Sequence, residues 1–178
     1  MAATPLYFAA DGIAPFAYSA WRFKHNEPLH ERQDMAKPEP WRLSLDIYPV
    51  VTTIETRYQD LDIMGHVNNV AMAGIFETAR VRFHRHLGRH PHDSGVRWLI
   101  AAVSLNYLQE AHYPEEVTVG CAIDRIGTTS WTVASAAFQH GECVATCDSV
   151  VVTHGPEGRR NIDDFLREAM EVNAIRRP

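Results

Sequence analysis

The chain has 178 residues, 46% of them hydrophobic and 22% charged, with a formal net charge of −5. That length and apolar fraction suit one packed domain and exclude a disordered chain. The acidic balance argues against a nucleic-acid partner, because phosphate binding depends on clustered Lys and Arg, and no run of roughly 18 apolar residues is present to cross a membrane.

Residues 1–46 hold Pro5, Pro15, Pro28, Pro38 and Pro40 and show no clean helical or strand period. Prolines at this density break helices and central strands, so an irregular extension is expected ahead of a domain over residues 47–178. No basic region precedes an apolar stretch, and Asp11 interrupts the Ala- and Phe-rich start, so a secretory signal is not expected. Met35 opens MAKPEPWRL just before the regular region and is a candidate start of translation beside Met1, a choice that the intact mass of the native protein decides.

Residues 47–58 are rich in Val, Ile, Thr and Tyr, which predicts a strand. Met72, Phe76, Ala79, Phe83 and Leu87 then recur at steps of four, three, four and four, one apolar stripe on a long helix. Asn68 or Asn69 is placed to cap its start and Gly88 to end it. Ala71, Ala73 and Gly74 keep its first turns slim. His84, His86, His90 and His92 cluster at its far end. Positions two apart face different sides of a helix, so surface placement near the negative helix end is expected, and no metal site.

Residues 98–109, 116–126, 130–140 and 142–153 predict strands, the last two joined by a tight turn at His140-Gly141. Residues 161–174 predict a second helix with Ile162, Phe165, Leu166 and Ala169 on one side. Cys121, Cys143 and Cys147 are too few and odd in number for a disulfide framework and suit a reducing cytosol, so a cytoplasmic protein is expected. Cys143 and Cys147, four apart in a strand, should share one face in the core. One strand, a long helix and then antiparallel strands predict the α+β class, an antiparallel sheet with the helix buried on one face.

Chemistry concentrates in residues 58–69, YQDLDIMGHVNN. Asp60 and Asp62, two apart at a strand end, can both point to the same side, with Asp60 read as structural or as an orienter for its neighbour. Gly65 allows backbone that other residues avoid, and His66 supplies a group that titrates near neutrality. Asn68 and Asn69 lead into a helix whose first N–H groups lack internal partners and carry partial positive charge. A carboxylate beside such donors suits acyl transfer, in which the carboxylate attacks or activates water and the donors hold the oxyanion. The same residue types also serve as plain turn and capping residues.

The D-x-D-x-x-G-H-V-N-N run, with IFETAR, SLNYLQEAHYPEEVTV, RIGTTSWTV and HGECVATCDSVVV after it, resembles the hotdog-fold thioesterases over roughly residues 50–153. These include the 4-hydroxybenzoyl-CoA thioesterase-like acyl-CoA hydrolases and the plant acyl-ACP thioesterases. The resemblance implies an antiparallel sheet wrapped around one long central helix, and hydrolysis of an acyl-CoA or acyl-ACP by a homodimer or homotetramer with sites at the subunit interface. It implies no cofactor and no metal. Asp62 matches the catalytic carboxylate, Asn69 the helix position whose amide polarises the thioester carbonyl, and His66 a histidine of the acyl-ACP enzymes. Gly65, Val67 and Met72 fall at the substrate pocket, Met72 where many relatives have Tyr. Arg125, Thr128, Thr129 and Ser130 fall where these folds meet the pantetheine and phosphates of CoA. Met64 stands where the acyl-ACP enzymes carry Asn, which favours a simpler arrangement led by Asp62. A second reading on the same fold is a non-catalytic acyl-CoA sensor. The motif of hotdog hydratases is absent.

Overall fold

The computed structural model describes residues 38–88 and 95–178. Lys37–Pro178 form one compact unit. The elements run β1 (Val50–Ile54), α1 (Asn69–His86), β2 (Arg97–Tyr107), β3 (Val117–Ile126), β4 (Ser130–Gln139), β5 (Glu142–Gly155), β6 (Gly158–Arg159) and α2 (Asp164–Val172). The strands make one antiparallel sheet in the order β1-β3-β4-β5-β2, with β6 paired to β5. The expected first strand is shorter than its composition predicts. Its flanks, Leu45–Ile47 and Tyr58–Asp60, close into 3-10 turns.

Helix α1 buries Met72, Ile75, Phe76, Ala79 and Phe83 against the sheet, the stripe read from the sequence. Asn68 is its cap, its side-chain oxygen accepting from the Ala71 amide at 2.8 Å. On the sheet, Val117, Val119, Cys121, Val133, Cys147 and Val151 meet this stripe. The outer face is a second, smaller cluster of Ala122, Ala134, Ala136 and Phe138, covered by Tyr48, Trp41, Leu45 and Ile47 from the segment before β1 and by Ile175 from the tail. Arg42 fixes that segment by a bidentate ion pair with Asp148 on β5.

Three expectations are corrected. His84 does not lie on the surface. It packs edge-on against Trp98 (ring centroids 5.1 Å) and Trp131 (5.8 Å), because the helix end is roofed by β2 and β4. Burial, with Arg80 nearby, pushes its pKa down to about 4. His86 is exposed, while His90 and His92 lie outside the described residues. Cys143 and Cys147 do not share a face. An extra residue on β5, between the pairs Ala137↔Ala145 and Phe138↔Cys143, turns Cys143 to the outer cluster and leaves Cys147 under α1. A one-residue slip in a period-two strand reverses every side chain beyond it. In α2 the buried residues are Leu166 and Met170, whereas Phe165 is 53% exposed. Among the described residues no helix is long and apolar enough to cross a membrane.

Candidate active site

The residues from Asp60 to Asn68 form a tight turn that ties back on itself. The Asp62 amide donates to the His66 carbonyl at 2.9 Å, and Gly65 donates to the Asp62 carbonyl at 3.1 Å. Gly65 has φ 84°, the left-handed backbone that closes this turn at no steric cost to glycine. Val67 donates to Ala111 (2.8 Å) and Asn68 to the Asp60 carbonyl (2.8 Å), which set the turn against the segment after β2 and aim the chain into α1.

The two aspartates do not point to the same side. Asp60 is 4% exposed and binds Arg57 through both carboxylate oxygens, because the chain has already turned out of strand geometry at Tyr58–Asp60. Asp62 is exposed. Its Oδ1 accepts from the Met64 amide at 2.8 Å and the His66 amide at 3.2 Å. These bonds, led by His66, hold its carboxyl below the ordinary carboxylate range, so it stays ionised. Its Oδ2 has no described partner.

The Ala71 amide is taken by the Asn68 cap, and Met72 donates to the Asn68 carbonyl at 3.0 Å. The amides of Asn69 and Val70 have no acceptor among the described residues, as expected for a first helical turn. Asn69 and Asp62 line one cavity of about 320 Å³, with His66, Val67 and Met72. A larger groove of about 950 Å³ lies between β1 and the other flank of α1, lined by Thr53, Gly74, Thr78 and Arg82. Asp62 lines only the smaller of the two.

Sequence reasoning missed three residues here. Glu110 Oε2 stands 3.2 Å from His66 Nε2. Tyr107 donates its hydroxyl to the Asn69 carbonyl at 3.1 Å, tying the end of β2 to the start of α1. His112 packs edge-on against His66 with ring centroids 5.2 Å apart, its own backbone gripped on both sides by the buried Gln139 amide. Nothing local marks these positions. Only the return of β2 past the helix start brings them in.

Arg125, Thr128, Thr129 and Ser130 are not brought to Asp62 within the chain. They form the β3–β4 turn at the opposite end of β4 from Gln139, roughly 30 Å along the strand. Arg125 is exposed opposite Thr132 on the outer face. The Thr128 carbonyl accepts from Ile162, and the Thr129 carbonyl from both the amide and the hydroxyl of Thr153.

An antiparallel sheet packed on one long capped helix is the hotdog fold, and here one cavity is lined by both the exposed carboxylate of Asp62 and Asn69 at the helix start. The chain belongs to the Thioesterase-like superfamily, which matches it over residues 56–170. A thioesterase of Thermus thermophilus solved with coenzyme A and zinc is 26% identical, with a TM-score of 0.67 over 75% of this chain and 98% of that one. A predicted thioesterase of Bacillus stearothermophilus is 28% identical, with a TM-score of 0.66 over 72% of this chain and 98% of that one. In sequence, protein YsmA of Bacillus subtilis is 22% identical over 95 residues, 53% of this chain and 63% of that protein.

Proposed function

We propose that this protein hydrolyses an acyl-CoA thioester to the free carboxylic acid and CoA, with Asp62 as the catalytic carboxylate. One observation carries the reading: Asp62 has one oxygen fixed by two backbone amides and the other without a partner among the described residues, in a cavity also lined by Asn69, whose amide has no acceptor among those residues. Asp62 takes a proton from a water that attacks the thioester carbonyl, or attacks the carbonyl itself, in which case a water then hydrolyses the acyl-aspartyl anhydride to release the acid and free the carboxylate. The Asn69 amide holds the oxyanion, and collapse expels the CoA thiolate, which takes up a proton. His66, steadied by Glu110, is the group within this turn that can carry that proton. The Thermus relative solved with coenzyme A supports CoA as the carrier.

A homodimer fits this reading. Strand β2 is a sheet edge of 11 residues, and its Leu99, Ile100, Val103 and Tyr107 are exposed. A long apolar edge is a template for pairing with another chain. Antiparallel pairing of β2 with the same strand of a second copy is self-complementary about a two-fold axis. It brings the Arg97 end of one copy to the Tyr107 end of the other. The Arg97 end neighbours the β3–β4 turn through the Trp98↔Thr153 pair and the Thr153–Thr129 bond, and the Tyr107 end touches the site through Asn69. Arg125, Thr128, Thr129 and Ser130 then serve the CoA bound at the other copy's Asp62.

The test is Asp62→Asn, which keeps the size of the side chain and removes its charge. Hydrolysis of acyl-CoA substrates should fall about 10²–10⁴-fold, with an unchanged circular dichroism spectrum. Undiminished turnover would refute the role of Asp62.

A further inference from the structure

Strand β5 carries one residue more than β4 where their pairing begins, and that residue is Val144. In a regular strand Val144 and Ala145 would face opposite sides. At a bulge the alternation breaks and a side chain is re-aimed, a device common beside active sites. Here both Val144 and Ala145 belong to the cluster under α1. The Val144 carbonyl accepts from the amides of both Leu108 (2.9 Å) and Gln109 (3.1 Å), so the end of β2 is anchored on this one residue. Val144, 3% exposed, lines the same cavity as Asp62 and Asn69. Met72, three residues into α1 from Asn69 and 4% exposed, lines it too. The cavity thus runs from exposed Asp62 at its mouth to buried Met72 and Val144 at its floor.

We propose that Val144, turned inward by the bulge, and Met72 close the floor of the acyl pocket and restrict the protein to short-chain acyl thioesters. The proposal rests on the Asp62-centred reading above. A cavity of about 320 Å³ stands at the lower end of ligand pockets, which run from roughly 300 to 1,000 Å³, and it must seat the thioester group as well as the chain. The floor is two well-packed apolar side chains, so a longer chain meets close-packed atoms and overpacking opposes its entry.

The experiment measures kcat/KM for straight-chain acyl-CoAs from acetyl to palmitoyl, and in parallel the affinity of the full-length protein for the matching thioether analogues, which bind without turnover. The wild type should peak between butanoyl and hexanoyl and fall at least about tenfold by decanoyl, as expected when extra methylenes do not fit. Val144→Ala and Met72→Ala should each raise the decanoyl-to-butanoyl ratio about tenfold or more, and Val144→Ile, which leaves no cavity, should lower the hexanoyl-to-butanoyl ratio. A uniform loss across all lengths would mean that Val144 only supports the fold, and would overturn the proposal, as would a wild-type optimum at dodecanoyl or longer. A length limit seen in analogue binding without any hydrolysis would keep the floor and discard the thioesterase reading. Hydrolysis with no length limit would do the reverse. No binding and no hydrolysis would overturn both.

Discussion

His66 Nε2 lies 3.2 Å from Glu110 Oε2, the one from the turn that opens α1 and the other from the loop that follows β2. A carboxylate on one ring nitrogen fixes the tautomer and orientation of an imidazole, much as the aspartate does in a serine-hydrolase triad. Glu110→Gln should therefore lower kcat about tenfold with little change in KM. In a His66→Ala background the same change should have almost no further effect, since residues acting as a unit are not additive. Full additivity in a double-mutant cycle of kcat would show that the two side chains act apart.

His84 makes stability depend on pH in a predictable direction. Its pKa falls from the ordinary 6.5 to about 4 in the fold, where it is held neutral between Trp98 and Trp131. The unfolded chain binds the proton first on acidification. The contribution is thus complete above pH 6.5, drains away between 6.5 and 4, and amounts to about 3 kcal/mol at most. Denaturant unfolding of wild type and His84→Leu, compared at intervals across that window, should show the gap closing or reversing as pH falls. Parallel curves would remove His84 as the cause.

Gly120 is required by a close approach. A Cβ built there would lie 2.7 Å from the Cβ and Cγ of Tyr48, whose ring seals the outer sheet face. Neither atom is the loose end of a flexible side chain, so relief needs a backbone shift. Gly120→Ala should cost about 1–3 kcal/mol by chemical denaturation. Combining it with Tyr48→Ala should give less than the sum of the single losses. Simple additivity would place the strain elsewhere.

Val103 tests the edge pairing of β2. It lies 49% exposed opposite Ser149, outside both core clusters of the described residues. If β2 pairs as proposed, the wild type sediments as a dimer, and Val103→Lys, which puts like charges across the two-fold axis, should shift it to monomer in sedimentation velocity, with hydrolysis falling alongside. An unaltered dimer, or a fully active monomer, would reject the shared site.

The sequence by itself determined what is local or periodic. The stripe Met72–Phe76–Ala79–Phe83, the Asn68 cap, the His140-Gly141 turn with φ 53° and 84°, and the self-bonded turn from Asp62 to His66 each depend on residues within a few positions of one another. Glu110, Tyr107 and Val144 enter the site only through strand pairing, and the register of that pairing is decided by packing across the whole sheet. One extra residue in β5 sends Cys143 outward and Val144 inward, while the alternation of the strand reads the same in either case. His84 likewise reads as a polar residue at a helix end until β2 and β4 close over it. Short-range hydrogen bonds and repeats are written residue by residue, whereas what faces a cavity depends on contacts between segments far apart in the chain, which form only when the sheet closes on its helix.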